Sequence, residues 1–188
     1  MAGRGPDAGS AVERLEFHAV DQERWPDLVR LFEGRGGPKH CWCMVWRPKE
    51  GRLDRYGKKA ALERSIRQGV PVGILAYLDG EPVAWCSIAP RETYRPLGGP
   101  NDGDSGKVWS VVCFFAHREI RGQGVTSKLL RAAVAHAAAH GADVVEASPV
   151  EPDSPSFRYM GFRSTFLAAG FEEVGTAGTR RHVMRLRV

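Results

Sequence analysis

A chain of 188 residues, 43% hydrophobic and 26% charged, has the size and composition of one globular domain with a sizeable core. Its apolar runs are too short to span a bilayer and its opening MAGRGPDAGS lacks the apolar core of a secretion signal, which excludes a membrane role and predicts a cytoplasmic protein with a disordered tail over 1–12 and a single domain over 13–188. The net charge of +5 comes from scattered basic residues, with no dense Lys/Arg run interleaved with aromatics, so nucleic acid is not the expected partner and a small phosphorylated ligand accounts for the charge equally well.

In chain order, Arg14 to Val20 alternates Leu15, Phe17 and Ala19 against polar neighbours, the pattern of a first strand. Asp21 to Glu33 reads as a helix with Pro26 in its first turn, Trp25, Leu28, Val29 and Phe32 as its buried stripe and Gly34 as its stop. Gly36 to Gly51 has no helical period and holds two Trp, two Cys, a His and a Met. Lys58 to Gln68 predicts a second helix with Leu62 and Ile66 inward, closed by Gly69. Val70 to Leu78 and Glu81 to Ala89 are apolar strands joined at Asp79-Gly80, a strong hairpin signal. Arg91 to Lys107 is a long polar connection.

Val108 to Gly141 is the most informative stretch. Val108 to Ala116 is a run of apolar and β-branched residues, long enough for a buried strand. Arg121-Gly122-Gln123-Gly124-Val125-Thr126 follows, then a helix with Val125, Leu129, Leu130, Val134 and Ala137 on one face and Gly141 as its stop. Glycines between a strand and a helix let the backbone approach a ligand. The unpaired N–H groups of the first helical turn then face it, aided by the helix dipole, which makes an anion site suited to a phosphate or pyrophosphate. No Gly-Lys-Ser/Thr follows, so this is not a P-loop, and Ser127 stands where a dinucleotide fingerprint has its third Gly. Ala142 to Ala147 is the next strand. A Pro/Ser loop follows, then a short helix over Thr165 to Ala169 capped by Ser164 and stopped by Gly170. A strand starts over Phe171 to Val174, and a final strand alternates His182, Met184, Leu186 and Val188 against Arg181, Val183, Arg185 and Arg187. The order β-α-α-β-β-β-α-β-α-β-β implies a mixed sheet with helices on both faces.

Arg121-x-x-Gly124-x-Thr126, entered from an apolar strand and followed by Leu129-Leu130, resembles the acetyl-CoA motif of the GCN5-related N-acetyltransferase (GNAT) superfamily, with Thr126 a mild departure from its small final residue. The element order and the Ala-Ala-Gly170-Phe171 ending of the last helix extend the resemblance over roughly residues 14 to 188. It implies an α/β (α+β) fold with a mostly antiparallel central sheet of six to seven strands and helices on both faces. It also implies acetyl-CoA as co-substrate and transfer of its acetyl group to a primary amine by direct attack. On this reading the strand 108–116 splays from 142–147, and the pantetheine arm pairs with backbone near Phe114, Phe115 and Ala116. The pyrophosphate sits on the amides of Arg121, Gly122, Gln123, Gly124, Val125 and Thr126, with charge added by Arg121 and Lys128.

Many family members carry a Tyr four residues before the closing Gly to protonate the thiolate; Phe166 holds that position here and Tyr159 is the nearest substitute. Glu146 and His117 are the candidate bases. The segment His40 to Arg47 leaves several readings. Cys41 and Cys43 would project to one side of an extended chain as zinc ligands or as a reactive thiol; the Trp and Cys side chains could fill core; or Trp42, Met44, Trp46 and Arg47 line the acceptor pocket. The last is the preferred expectation, with no metal. A small-molecule amine is the expected acceptor, ahead of a peptide or protein amine. The alternative of another class is a non-catalytic acyl-CoA-binding module. The basic outer strands and a C-terminal edge favour a homodimer.

Overall fold

The computed structural model describes residues 11–48, 51–100 and 106–188. Seven strands form one sheet: β1 (Glu16–Ala19), β2 (Ile74–Leu78), β3 (Glu81–Pro90), β4 (Val108–Ala116), β5 (Val144–Ala147), β6 (Glu172–Ala177) and β7 (Arg181–Arg187). Their spatial order is β1-β2-β3-β4-β5-β7-β6. Only β4 and β5 are parallel, linked through α3 (Val125–Ala139); every other neighbouring pair is antiparallel. α1 (Trp25–Glu33) and α2 (Arg55–Arg67) join β1 to β2, and α4 (Arg163–Leu167) lies between β5 and β6.

Each sheet face buries its own core. On one, Leu129, Leu130 and Ala133 of α3 and Phe166 of α4 pack on Ile88, Val111 and Val145. On the other, Leu28 and Phe32 of α1 and Leu62 of α2 meet Trp42, Leu75 and Trp85. Among the described residues no helix is long and apolar enough to cross a membrane.

Several boundaries move from their expected places for local reasons. α1 starts at Trp25 rather than Asp21, because the Asp21 carboxylate accepts from the Arg24 N–H at 2.9 Å and holds a separate turn. α2 begins earlier than expected, at Arg55, where the Asp54 side chain caps the Gly57 N–H at 2.8 Å. β2 begins at Ile74 because Gly73 sits at φ 148° in a spot where a Cβ would lie 2.1 Å from the Cys86 carbonyl. The Asp79-Gly80 turn has both residues at positive φ, 50° and 82°, the geometry of the tight hairpin turn expected there. Ser164 does not cap α4. The helix enters from Phe162, which bridges Val150, with no side-chain cap, and Arg163 opens it while binding Glu173 at 2.7 Å.

The chain's last strand is interior, between β5 and β6, so β1 and β6 are the sheet edges. Its expected basic face is also partly core: Val183 is buried beneath Gly99, and Arg185 pairs with Glu146. The expected tail 1–12 falls mostly outside the described residues. Ala11–Arg14 forms a 3-10 turn that buries Val12. The centre of the long connection, 101–105, is likewise outside them.

His136 of α3 packs edge-on against Trp109 of β4, 5.6 Å between ring centroids, and stands 4.2 Å from the ring of His140. Burial, then the neighbouring His140, lowers its pKa below 6.5. The unfolded chain therefore takes up this proton first as pH falls, and folding loses stability below about pH 6.5. His136→Gln is expected to show a smaller loss between pH 7 and pH 5 than the native chain, measured as urea midpoints.

Candidate active site

The site is built where β4 outlasts β5. The parallel ladder runs Val108↔Val144, Trp109↔Val145, Ser110↔Glu146 and Val111↔Ala147, and ends there. On its other side β4 stays paired with β3 to Ala116↔Ala84, but Ser87 faces Cys113 while Ile88 faces Val111, so Val112 is an extra, bulged residue at the point where β5 departs. From Val112 to Ala116 the backbone edge turned toward β5 has no strand partner. Such an edge offers N–H and C=O groups to an extended ligand.

Beyond this edge the chain turns through a 3-10 turn, Arg118–Ile120, anchored by buried Ile120, into Arg121–Gly124. Gly122 and Gly124 have φ of 77° and 82°, and a Cβ on either would meet no atom within 4 Å. Gly124 is the N-cap of α3 with no side-chain cap. Among the described residues nothing accepts from the backbone N–H groups of Gly122 to Ser127. These donors stand at the N-terminus of a 15-residue helix, a geometry that suits an anion. Three expected contact residues brace it. Arg121 Nε donates to the Ala116 carbonyl at 2.8 Å, Gln123 Nε2 to the Glu119 carbonyl at 3.0 Å, and Lys128 Nζ to the Val12 carbonyl at 2.9 Å. Val125 is buried as the first core residue of α3, and Thr126 is half-buried.

At the other end of the free edge lies an apolar cavity of about 230 Å³. Val112, Cys113, Phe114 and Phe115 form its floor, Pro38, Cys41, Cys43, Val45 and Trp46 one wall, and Tyr159 the other. The Phe114 ring leans on Phe166 at 6.2 Å, and Phe166 is fully buried against Phe171. Of the non-glycine residues with positive φ, Cys43 (50°) lines this cavity, Trp42 (49°) precedes it in the same turn, and Phe157 (61°) stacks near Trp46. Strain of this kind collects at binding sites, where surrounding packing holds it.

The segment 38–47 is a turn, not an extended chain; Cys41 and Cys43 both reach the cavity wall, with Cys41 Sγ accepting from the Cys43 N–H at 3.3 Å. The Cys43 thiol donates toward Cys113 Sγ at 3.3 Å and accepts from Trp85 Nε1 at 3.2 Å. The four cysteines are free, and among the described residues no three His, Cys, Asp or Glu groups gather to hold a metal. Hydrogen bonding to Cys113 pushes the Cys43 thiol up and burial adds to it; burial raises Cys86; the Cys43 neighbour and burial raise Cys41. Neutral thiols are poor nucleophiles.

Of the expected pocket residues, only Trp46 lines the cavity. Trp42 turns the other way, into the helical core between Trp25 and Phe32, with Lys59 Nζ 5.3 Å from its ring. Met44 is buried in the same core. Arg47, 3% exposed, gives Nη2 to the carbonyl of Val72 at 2.7 Å and to the hydroxyls of Ser87 and Tyr94 at 3.2 and 3.3 Å. It pins the cavity wall to the sheet.

The candidate catalytic groups separate as well. Glu146 is buried between Arg185 (2.9 Å) and Arg91 (3.4 Å), outside the cavity lining. His117 follows β4, its ring edge-on to Phe115 at 5.9 Å and its buried Nε2 without a hydrogen-bond partner among the described residues. Tyr159 stands in the cavity wall, its phenol pushed up by burial and by Cys113, against the pull of Trp46 and Arg181. Sequence reading missed Arg181, whose guanidinium carbon lies 4.7 Å from the Trp46 ring, and Arg95, at 5.1 Å. Both lie far from Trp46 in sequence, and nothing local marks them.

Trp42→Ala is expected to cost about 3–5 kcal/mol of stability in urea unfolding, as loss of a buried aromatic does, without changing acceptor KM. Iodoacetamide at pH 7.5 should leave Cys43 and Cys86 unlabelled in the native protein and label all four cysteines in urea, as read by mass spectrometry.

The sequence matches the model of the acetyltransferase (GNAT) family over residues 25–162. No curated protein matches it significantly. Among solved structures, aminoglycoside acetyltransferase AAC(6')-Ib in complex with ribostamycin and coenzyme A is similar with a TM-score of 0.62 and 19% identity, covering 92% of this chain and 93% of that one. The polyamine N-acetyltransferase of Drosophila melanogaster gives 0.57 and 13%, covering 93% and 100%. The ribosomal-protein-alanine N-acetyltransferase of Brucella melitensis gives 0.54 and 18%, covering 92% and 99%. These likenesses are of fold, and the family match spans most of the sequence: the chain belongs to the acetyltransferase (GNAT) family.

Proposed function

We propose that the protein transfers the acetyl group of acetyl-CoA to the primary amine of a small molecule, by direct attack and without a covalent enzyme intermediate. One observation carries the reading. The unpaired edge of β4 runs from an anion cradle at the start of α3 to an apolar cavity at the bulge. A phosphate-bearing thioester laid along that edge has its diphosphate at Gly122–Ser127 and its arm beside Phe114–Ala116. Its carbonyl then lies over the cavity. The open space at Gly122 and Gly124 fits a ligand approaching that backbone.

In the reaction the amine nitrogen bonds to the thioester carbonyl carbon. An N–H of the free β4 edge steadies the oxyanion, the C–S bond breaks, and the sulfur leaves as thiolate. On this reading Tyr159, which lines the cavity, protonates that thiolate, in the role the family commonly gives to a Tyr where this chain has Phe166. Its raised pKa keeps the phenol protonated past the usual 10, so the acid stays loaded at alkaline pH where the amine is free. The amine's proton leaves to water, with His117 the nearest base to the edge and Glu146 held by its two arginines. Direct attack fits Cys41 and Cys43, whose raised pKa keeps them protonated and poor nucleophiles. The cytoplasm, where acetyl-CoA is available, is the proposed location.

Thr126→Glu places a carboxylate at the start of α3, where it favours the helix but repels a diphosphate. Acetyl-CoA affinity by calorimetry should fall about 100-fold with thermal stability kept; unchanged affinity would remove the cradle from the reading. Tyr159→Phe should lower kcat about 10²-fold with acetyl-CoA binding intact, and the native enzyme should hold its kcat up to about pH 10. Binding without turnover across an amine panel would leave a non-catalytic acyl-CoA module.

A further inference from the structure

The acetyl-transfer reading leaves open which amine enters the cavity, and the charges around the cavity answer it. At about 230 Å³ the cavity is larger than the cavities of about 150 Å³ that take benzene, so a phenyl-sized group fits. Among the described residues no carboxylate lines it. Two guanidinium groups stack on the Trp46 ring of its wall without themselves lining it, Arg181 at 4.7 Å and Arg95 at 5.1 Å, and Arg181 also lies 5.2 Å from the Phe157 ring.

Neither arginine has an ion-pair partner among the described residues. Arg181 is half-buried and spends one N–H on the Leu97 carbonyl at 2.8 Å. Burial lowers its pKa, the mark of a charge taken out of water without a counter-ion, and it senses the Tyr159 phenol across the cavity wall. A guanidinium stacked on an aromatic face keeps its edge free for bidentate binding of a carboxylate. A polycation would meet like charge at the wall and no acid inside. A neutral apolar amine would leave Arg181 uncompensated.

We infer that the acceptor is an amine bearing a carboxylate on an apolar or aromatic body, the chemistry of an α-amino acid, with its body in the cavity and its carboxylate on Arg181 and Arg95. This rests on the acetyl-transfer reading. It separates the chain from its structural neighbours whose names specify aminoglycoside or polyamine substrates.

The test compares L-phenylalanine with 2-phenylethylamine, the same body without the carboxylate, and with spermidine, at saturating acetyl-CoA. The expected kcat/KM is at least about tenfold higher for phenylalanine than for phenylethylamine, mainly through KM, and lowest for spermidine. Arg181→Gln should collapse the first ratio toward one, and Arg181→Lys should restore part of it. Independently of turnover, 3-phenylpropionate should bind the CoA complex and lose about tenfold in affinity in Arg181→Gln, by calorimetry.

Spermidine or phenylethylamine as the better substrate, a ratio unmoved by Arg181→Gln, or no binding of 3-phenylpropionate would overturn the inference. So would preference for octanoyl-CoA with indifference to the amine, which would give the cavity to the acyl chain. If the native chain binds acetyl-CoA, these failures fall on the acceptor alone; if it does not bind acetyl-CoA, the acetyl-transfer reading falls with them.

Discussion

The structure depends on one unequal strand pair. β4 is nine residues long and β5 four, and their parallel ladder stops at Val111↔Ala147. Beyond that point Val112–Ala116 has no strand on this side: Arg121 takes the Ala116 carbonyl, and the other edge groups of the partly exposed Phe114–Ala116 are open to water or to a ligand. The bulge at Val112 turns β4 at that point, and the chain after β5 departs through Ser148-Pro149 to Phe157–Tyr159, which comes back over the edge as a wall rather than a strand. On the proposed reading an extended, amide-containing ligand arm pairs with this edge.

The remaining elements hold the two ends of that edge. α3 starts at Val125 because Gly124 adopts φ 82°, and its core stripe fixes the cradle against the sheet. The cavity end is held by buried polar groups. Arg47 reaches Val72, Ser87 and Tyr94, and Cys43 lies between Cys113 and Trp85. A buried guanidinium is costly unless hydrogen-bonded, so its three acceptors fix where the turn 38–47 lies. That turn also carries the consecutive positive φ values of Trp42 and Cys43. The packing of Trp42 between α1 and α2 offsets this strain on one side, while Cys43 and Trp46 face the cavity on the other.

The strand, glycine turn and helix around Val108–Ala139 were legible in the sequence because their signals are local. Val108–Ala116 has the composition of a buried strand, and glycines followed by a helical stripe from Val125 specify the turn between them. The cavity was not. Two left-handed residues in succession reverse the direction in which side chains 42 to 47 point, and neither Trp42 nor Cys43 is a residue type that advertises positive φ. Of the four expected pocket residues, Trp42, Met44 and Arg47 therefore went to core and Trp46 went to the cavity, beside Cys43 and Val45. Glu146 sits on the strand beside the splay, as its sequence position implies, but its two arginines come from β7 and from the turn after β3. Arg181 and Arg95 meet at Trp46 only through the sheet order, in which β7 lies two places from β4. No window of sequence contains that information.

The central claim is that a thioester ligand completes the edge that β5 leaves open. Amide hydrogen exchange with and without acetyl-CoA tests it most directly, because each end of the site consists of backbone N–H groups. The account predicts new protection in two stretches, Phe114–Ala116 and Gly122–Ser127, with the paired half of β4, Val108–Val111, unchanged. Binding of acetyl-CoA with protection confined to any other part of the sheet would contradict it.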